Sequence, residues 1–304
     1  MPREEFGKSH DFIPKTEILS YEEITNFVKA CEPLGLRKVR ITGGEPLLRK
    51  DIHHLVRQLS SMDMEVALTT NGSLLENNAA DLAESGLSRV TISLDAIDQE
   101  VHSKITDSKV SVTDILDGIS AAIRYELGPV KINCVVQRGV NEHQIPKLVR
   151  KFRGTGVIVR FIEFMDVGST NGWTQGQVVP TSEIIDFLSS EFDLIPLARK
   201  SVSDVASRWA HSDGSGEIGF ISSVSQPFCG DCVRARLSSD GKFFTCLFTT
   251  TGHDMSALIK SGGKTEVLTQ SIEEVWSARK DRYSEERTSV AISLPRVEMS
   301  YIGG

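Results

Sequence analysis

Hydrophobic positions along this chain change period repeatedly. Runs of four to six apolar or β-branched residues alternate with longer stretches of helical spacing. Ser20–Ala30 (SYEEITNFVKA) has the helical spacing, with Ser20 as N-cap and Glu23 three residues on completing a capping box. Val39–Thr42 then reads as a strand, followed by a glycine turn and a helix from Asp51 to Met62. Val66–Thr70 is the next strand, ending at Asn71-Gly72, with a helix over Asn77–Ser85. Val90–Leu94 precedes a helix across Thr113–Tyr125, and Lys131–Val136 and Val157–Phe164 flank a helix near Gln144–Phe152. Strands separated by helix-length segments require parallel pairing and right-handed crossovers. Five such units fit part of a TIM-type barrel better than an open doubly wound sheet, though spacing alone does not separate the two.

Past Gly168 the repeat stops. Asn171-Gly172-Trp173 reads as a turn, Ser182–Ser190 as a helix, Gly216–Val224 as a strand and Ser271–Ala278 as a helix. The run DRYSEERT, Asp281 to Thr288, reads as an exposed charged face. Two parts are expected, residues 1–168 and residues 169–304, sharing a large interface because no linker-like stretch separates them.

In parallel α/β folds ligands meet the carboxyl ends of the strands, and here those ends are rich in chemistry. Strand one ends at Thr42-Gly43-Gly44-Glu45-Pro46, strand two at Thr69-Thr70-Asn71-Gly72, and strand three at Ser93-Leu94-Asp95. Strand four carries Lys131 and Asn133, and strand five carries Arg160, Glu163 and Met165. Any one of these ends is ordinary turn or core material. Five together mark a pocket.

The formal charge of −7 on 304 residues argues against a general nucleic-acid or membrane-surface binder. No apolar run is long enough to span a bilayer. Five cysteines, with Cys31 and Cys134 isolated in apolar surroundings, are not a disulfide framework and indicate a reducing compartment.

The other three cysteines fall in Phe228 to Phe248, FCGDCVRARLSSDGKFFTCLF, as Cys229, Cys232 and Cys246 in a C-x2-C-x13-C pattern. Three readings are open. A zinc ribbon would need a fourth ligand such as His211 or His253. The thiols could carry no metal at all. An iron–sulfur cluster held by three thiolates would leave one iron free for a non-protein ligand. Arg234 and Arg236, two apart and so on one side of an extended segment, favour an anionic substrate beside that site.

Taken together, RITGGEPL (Arg40–Leu47), LTTNG (Leu68–Gly72), SLDA (Ser93–Ala96), VKINCVVQRGVN (Val130–Asn141), RFIEFMDVG (Arg160–Gly168), the cysteine stretch and the terminal Gly-Gly resemble the GTP 3′,8-cyclases of molybdenum cofactor biosynthesis. That family, molybdenum cofactor biosynthesis protein A, lies within the radical S-adenosylmethionine superfamily, and the resemblance runs in order over essentially the whole chain. It implies an incomplete (β/α)6 TIM-type barrel lacking its first strand, joined to a C-terminal α+β cluster-binding region. It implies that Cys229, Cys232 and Cys246 hold a [4Fe-4S] cluster whose open iron meets the guanine of GTP. Arg40, Thr69, Lys131, Arg234, Ala235 and Arg236 match positions that hold GTP, and Gly44, Ser93 and Met165 match positions that hold S-adenosylmethionine. Gly303 and Gly304, which alone would read as a frayed end, match a tail that reaches the active site and joins Arg234 and Arg236 in catalysis. The family reaction cleaves S-adenosylmethionine reductively and cyclises GTP, and its product feeds cyclic pyranopterin monophosphate synthase. A homodimer is implied, in the cytoplasm of a bacterium or the mitochondrion of a eukaryote.

The family pattern also includes a C-x3-C-x2-C loop after the first barrel strand. The sequence opens at Met1-Pro2 without that loop. The expectation is therefore a chain that leaves Val39–Thr42 as a sheet edge and supports no N-terminal [4Fe-4S] cluster. Such a chain would not generate the radical as written, and it is expected to be a shortened form of an ordinary family member. The alternatives are a non-catalytic GTP-binding [4Fe-4S] paralogue and a zinc-ribbon interaction module.

Overall fold

The computed structural model describes residues 13–168, 171–201, 204–287 and 296–302. The first helix, α1 (Tyr21–Cys31), starts where expected: Ser20 accepts from the Glu23 amide, and the Glu23 carboxylate accepts from the Ser20 amide, so both halves of the capping box are made. The repeat then runs β1 (Lys38–Ile41), α2 (Ile52–Ser60), β2 (Glu65–Thr70), α3 (Leu75–Glu84) and β3 (Arg89–Ser93). It continues through α4 (Gln99–Thr106), α5 (Val112–Arg124), β4 (Lys131–Val136), α6 (Ile145–Phe152) and β5 (Ile158–Glu163). Helix α4 was not foreseen. It is short and polar, with only His102 buried, and the Asp98 carboxylate caps it by accepting from Glu100 and Val101.

Strands β1 to β5 pair in parallel in sequence order, and β1 is an edge of the sheet among the described residues. The sheet does not end at residue 168. After α7 (Thr181–Ser189), β6 (Leu194–Leu197) and β7 (Ser207–His211) form an antiparallel pair, and β8 (Glu217–Ile221) returns to lie parallel beside β5. Eight strands thus share one sheet in the order β1-β2-β3-β4-β5-β8-β7-β6.

Alternation divides the two faces of each strand. On β4, Ile132, Cys134 and Val136 are buried while Lys131, Asn133 and Val135 are half-buried. The buried set packs with α2, α3, α5 and α6 in the main core, leaving a polar lumen on the other face. A second core gathers Leu19, Phe27 and Ala30 with Phe243, Met255, Ile259, Leu268 and Ile272. The last five come from β10 (Lys242–Phe244), α8 (Ser256–Lys260), α9 (Thr265–Ser277) and the residue before α8. β10 pairs antiparallel with β9 (Arg236–Leu237) and β11 (His253–Asp254). Helix α1 serves both cores: Val28 sits in the first and Phe27 meets the Phe243 ring at 5.7 Å in the second. The amino-terminal helix thereby fixes the cysteine-bearing region against the sheet. No helix among the described residues is long and apolar enough to cross a membrane.

Candidate active site

Cross-strand register explains which side chains meet in the lumen. Arg40 and Arg89 flank Ala67; Thr69, Thr91 and Lys131 form the next row; Ser93, Asn133, Arg160 and Gly219 form the one above. Arg40 Nη1 donates to Thr69 Oγ1 at 2.8 Å and to Thr91 Oγ1 at 3.2 Å. Burial depresses Arg40, with Glu65 opposing. Arg160 is pushed down to about 10 by burial and then by Arg40 and Arg89. Lys131 falls to about 8, first through burial and then through Arg160, Arg89 and Arg40. The nearby acids are already engaged. Glu65 pairs with Arg89 and with Lys38 at 3.3 Å, and Glu217 takes both ends of Arg208 at 2.8 and 2.7 Å. Arg89 Nε, Arg160 Nε and Asn133 Oδ1 are buried without a hydrogen-bond partner. A surplus of cations with unspent donors suits a polyanion.

Arg160 has room to lie across the sheet because its neighbour is a glycine. A Cβ on Gly219 would stand 2.9 Å from Arg160 Cγ. Gly219→Ala should therefore displace the guanidinium and weaken the binding of a nucleoside triphosphate probe about tenfold, the worth of one charge-assisted contact. Calorimetric titration of the variant checks this; unchanged affinity would detach Arg160 from the ligand.

At the strand ends, Gly43 has φ +145°, which a side chain rarely adopts, and Gly44 beside it is open. Glu45 holds this loop in place, accepting from Thr70 Oγ1 and the Asn71 amide, both at 2.7 Å. Ser93 is exposed and Met165 half-buried at the ends of β3 and β5. The expected S-adenosylmethionine positions thus lie along one rim, above the basic rows.

The three cysteines are half-buried and free of disulfides. Arg234 has turned onto Cys232, its Nε and Nη2 donating to the sulfur at 3.3 and 3.2 Å. Burial opposes ionisation of Cys232, but the charge and hydrogen bonds of Arg234, with help from Arg279, leave the thiol below its ordinary value. Cys246 is pushed up, chiefly by burial. Arg236 is half-buried and pushed down to about 10 by burial, with Arg234 and Arg279 adding to that and Cys246 and Cys232 opposing it. Arg234 and Ala235 are exposed.

Among the described residues no three of His, Cys, Asp or Glu are grouped to hold a metal ion. His253 is exposed on β11, and His211 is buried in β7 against the Phe192 ring at 5.6 Å. A zinc ion would need its thiolates within about 4 Å of one another. A four-iron cube takes each thiolate at a separate corner and spreads them. Three soft donors, one polarised by an arginine, fit a thiolate-held metal centre of either kind.

Gly303 and Gly304 lie outside the described residues. Arg89 was missed, although Arg89, Thr91 and Ser93 share a face by simple alternation. The charged run from Asp281 is exposed only in part: Arg282, Glu285 and Glu286 face solvent, but Arg287 Nη2 lies 3.0 Å from Asp166 Oδ1, both side chains being buried, and Tyr283 Oη donates to Asp166 Oδ2.

Residues 6–152 match the radical SAM superfamily, and residues 157–285 match the family described as Molybdenum Cofactor Synthesis C. Among solved structures, SuiB of Streptococcus suis bound to S-adenosylmethionine has a TM-score of 0.59 at 14% identity, covering 94% of this chain and 66% of that one. Native anSMEcpe with bound AdoMet has a TM-score of 0.53 at 15% identity, covering 95% and 77%. Fold and matches together define a radical S-adenosylmethionine enzyme of molybdenum cofactor synthesis, a class that works with S-adenosylmethionine and an iron–sulfur cluster. The chain is 43% identical to a GTP 3′,8-cyclase of Acidothermus cellulolyticus over 100% of its own length and 91% of the relative's. It is 46% identical to a GTP 3′,8-cyclase of Xanthomonas axonopodis pv. citri over 94% and 86%. The chain belongs to the GTP 3′,8-cyclase family.

Proposed function

We propose that the basic lumen holds the triphosphate of GTP through Arg40, Thr69 and Lys131, joined by Arg160. The purine end then points up towards Arg234, Ala235 and Arg236. Cys229, Cys232 and Cys246 hold a [4Fe-4S] cluster there, and Gly44, Ser93 and Met165 hold S-adenosylmethionine at the rim. When bound and given an electron by an external reductant, S-adenosylmethionine would supply the one-electron chemistry that removes a hydrogen from the ribose so that GTP closes to its 3′,8-cyclo form, and the cluster would hold the guanine. The protein's part is positional. Arg40 is oriented by two threonine hydroxyls, Lys131 and Arg160 place charge where phosphate oxygens lie, and burial keeps competing water away. Gly303 and Gly304 complete the site.

The observation that supports this reading is the convergence of Arg40, Lys131 and Arg160 beside Arg89, while Glu65 is taken by Arg89 and Lys38 and Glu217 by Arg208. In this reading residues 1–168 hold S-adenosylmethionine and part of the GTP site, and residues 169–304 hold the second cluster and the rest of the GTP site. The enzyme works as a homodimer in the cytoplasm and passes its product to cyclic pyranopterin monophosphate synthase. Anaerobic reconstitution followed by metal analysis tests the cluster: about four irons and four sulfides should bind through the three thiols. Zinc without acid-labile sulfide would remove the reading.

A further inference from the structure

The charged run that reads as surface in the sequence reaches the cysteine region at four places. Residues 227–235, which carry Cys229 and Cys232, lie outside helices and strands. The turn between those two thiols closes on the Cys232 amide, which donates to the Cys229 carbonyl at 3.1 Å. Arg279 Nη1 donates to the Cys232 carbonyl at 2.7 Å. The Gly230 amide donates to Glu285 Oε1 at 3.0 Å, and Arg282 Nε donates to the other oxygen of that carboxylate at 2.6 Å. Thr245, the residue before Cys246, donates its hydroxyl to Asp281 Oδ2 at 2.6 Å. Arg279 Nε lies 3.4 Å from the same oxygen, and its guanidinium sits over the Trp276 ring at 4.8 Å. The Tyr283 ring stacks on Phe248 at 4.8 Å, and the Phe248 amide donates to Cys246 Sγ at 3.4 Å.

We propose that Arg279, Asp281, Tyr283 and Glu285 are positioning residues of the three-thiol centre, a clasp that sets the Cys229–Cys232 turn and Cys246 at fixed places relative to each other. The proposal rests on the reading of these three cysteines as holders of one iron–sulfur cluster. The two parts of the ligand set come from different places, a turn without regular structure and the chain just past β10. Asp281 links them. One of its oxygens takes Thr245 from the Cys246 side and Arg279 from the Cys232 side. The clasp is itself anchored at both ends. Trp276, near the end of α9, packs against the second core. At the far end Tyr283 and Arg287 both engage the buried Asp166 carboxylate. The contacts fall on every second residue, Arg279, Asp281, Tyr283 and Glu285, whereas Lys280 and Arg282 between them are exposed. A solvated charged face would have no need of that register. Groups that hold a metal's ligands in place are worth about 10–100-fold in metal affinity.

The full chain, reconstituted anaerobically with iron and sulfide, carries the test, read as the rate of iron release to a chelator of ferrous iron. Thr245→Val keeps the shape of the side chain and lacks only its hydroxyl, and it should release iron about tenfold faster than the wild type. Asp281→Ala should do at least the same. The double variant should be no faster than Asp281→Ala alone, because both changes act through one carboxylate. Thr245→Ser restores the hydroxyl and should restore the wild-type rate. Glu285→Ala acts on the other thiol pair through Gly230, so its effect, also about tenfold, should add to that of Thr245→Val. The iron-free Thr245→Val chain should melt within about 3 °C of the wild type. A larger fall would make the contact one of general folding and overturn the proposal. Unchanged release from Thr245→Val and Asp281→Ala overturns it while leaving the cluster standing. Thr245→Ser as fast as Thr245→Val overturns it too, because the hydroxyl would then not be what holds Cys246. A wild type that takes up zinc without sulfide would instead bring down the cluster on which the clasp depends.

Discussion

Glu163→Gln is expected to lower the stability of the chain by roughly 3 kcal/mol, or on the order of 6–12 °C in the thermal midpoint. Glu163 is fully buried at the end of β5, and no cation among the described residues pairs with it. Its carboxylate accepts from the amides of Thr181, Val224 and Ser225, each at 2.8 Å, and from Ser225 Oγ at 2.5 Å. Four donors converge on two oxygens. An amide of the same shape has one oxygen, and its NH2 would point at N–H groups that then lose their acceptor. Leaving buried donors unpaired costs more than the hydrogen bonds were worth in net terms. Ser225→Ala removes one donor and its bond together and should cost only about 1 kcal/mol. Glu163 also ties the first turn of α7 to residues 224–225, which lead into Cys229. Iron loading should therefore fall in Glu163→Gln and hold in Ser225→Ala. A melt of Glu163→Gln that overlays the wild type would show that the segment is held by something else.

Much of this was legible from period alone. The helix-length spacers made the strands parallel, while Arg40, Thr69 and Lys131 were singled out by the resemblance. Ser20 and Glu23 announced α1. The antiparallel insertion was not legible, because nothing local says that β6 and β7 will join the barrel sheet and carry β8 back beside β5. Pro196 within β6 argues locally against a strand; it is tolerated because β6 lies at the edge of the sheet. Attention to the carboxyl ends of strands hid Arg89, which enters at the amino end of β3 on the same face as Thr91 and Ser93 and pairs with Glu65. The charged run at 281–287 looked solvated because charge counts say nothing about a buried partner. Asp166, more than a hundred residues earlier, is what draws Tyr283 and Arg287 inward. The resemblance supplied what period could not: roles for Cys229, Cys232 and Cys246.

GTP binding should weaken about tenfold between about pH 7 and about pH 9.5, and the cause is Lys131. Burial, then Arg160, Arg89 and Arg40, lower it from 10.5 to about 8 in the free protein, Glu217 opposing. The folded value lies below the unfolded one. The free chain therefore carries a penalty for the charged amine at every pH below about 8, relieved as pH climbs from about 8 towards 10.5. Over that window the empty protein should become more stable, as far as this group decides it. A triphosphate reverses the sign. It favours the ammonium, so the complex holds a proton that the free protein has lost, and affinity falls as pH rises. Solvent reaching the half-buried amine screens part of the coupling, which keeps the expected change near tenfold. The nucleotide's own last phosphate ionisation, near pH 6, is complete across the range. Calorimetry in two buffers of different ionisation enthalpy should show net proton uptake at about pH 8.5, roughly half to three-quarters of a proton per GTP. Lys131→Arg keeps its charge throughout, so its affinity should be flat over the same range and its proton uptake should vanish. Wild-type binding as flat as that of Lys131→Arg would mean that the amine faces water instead of phosphate.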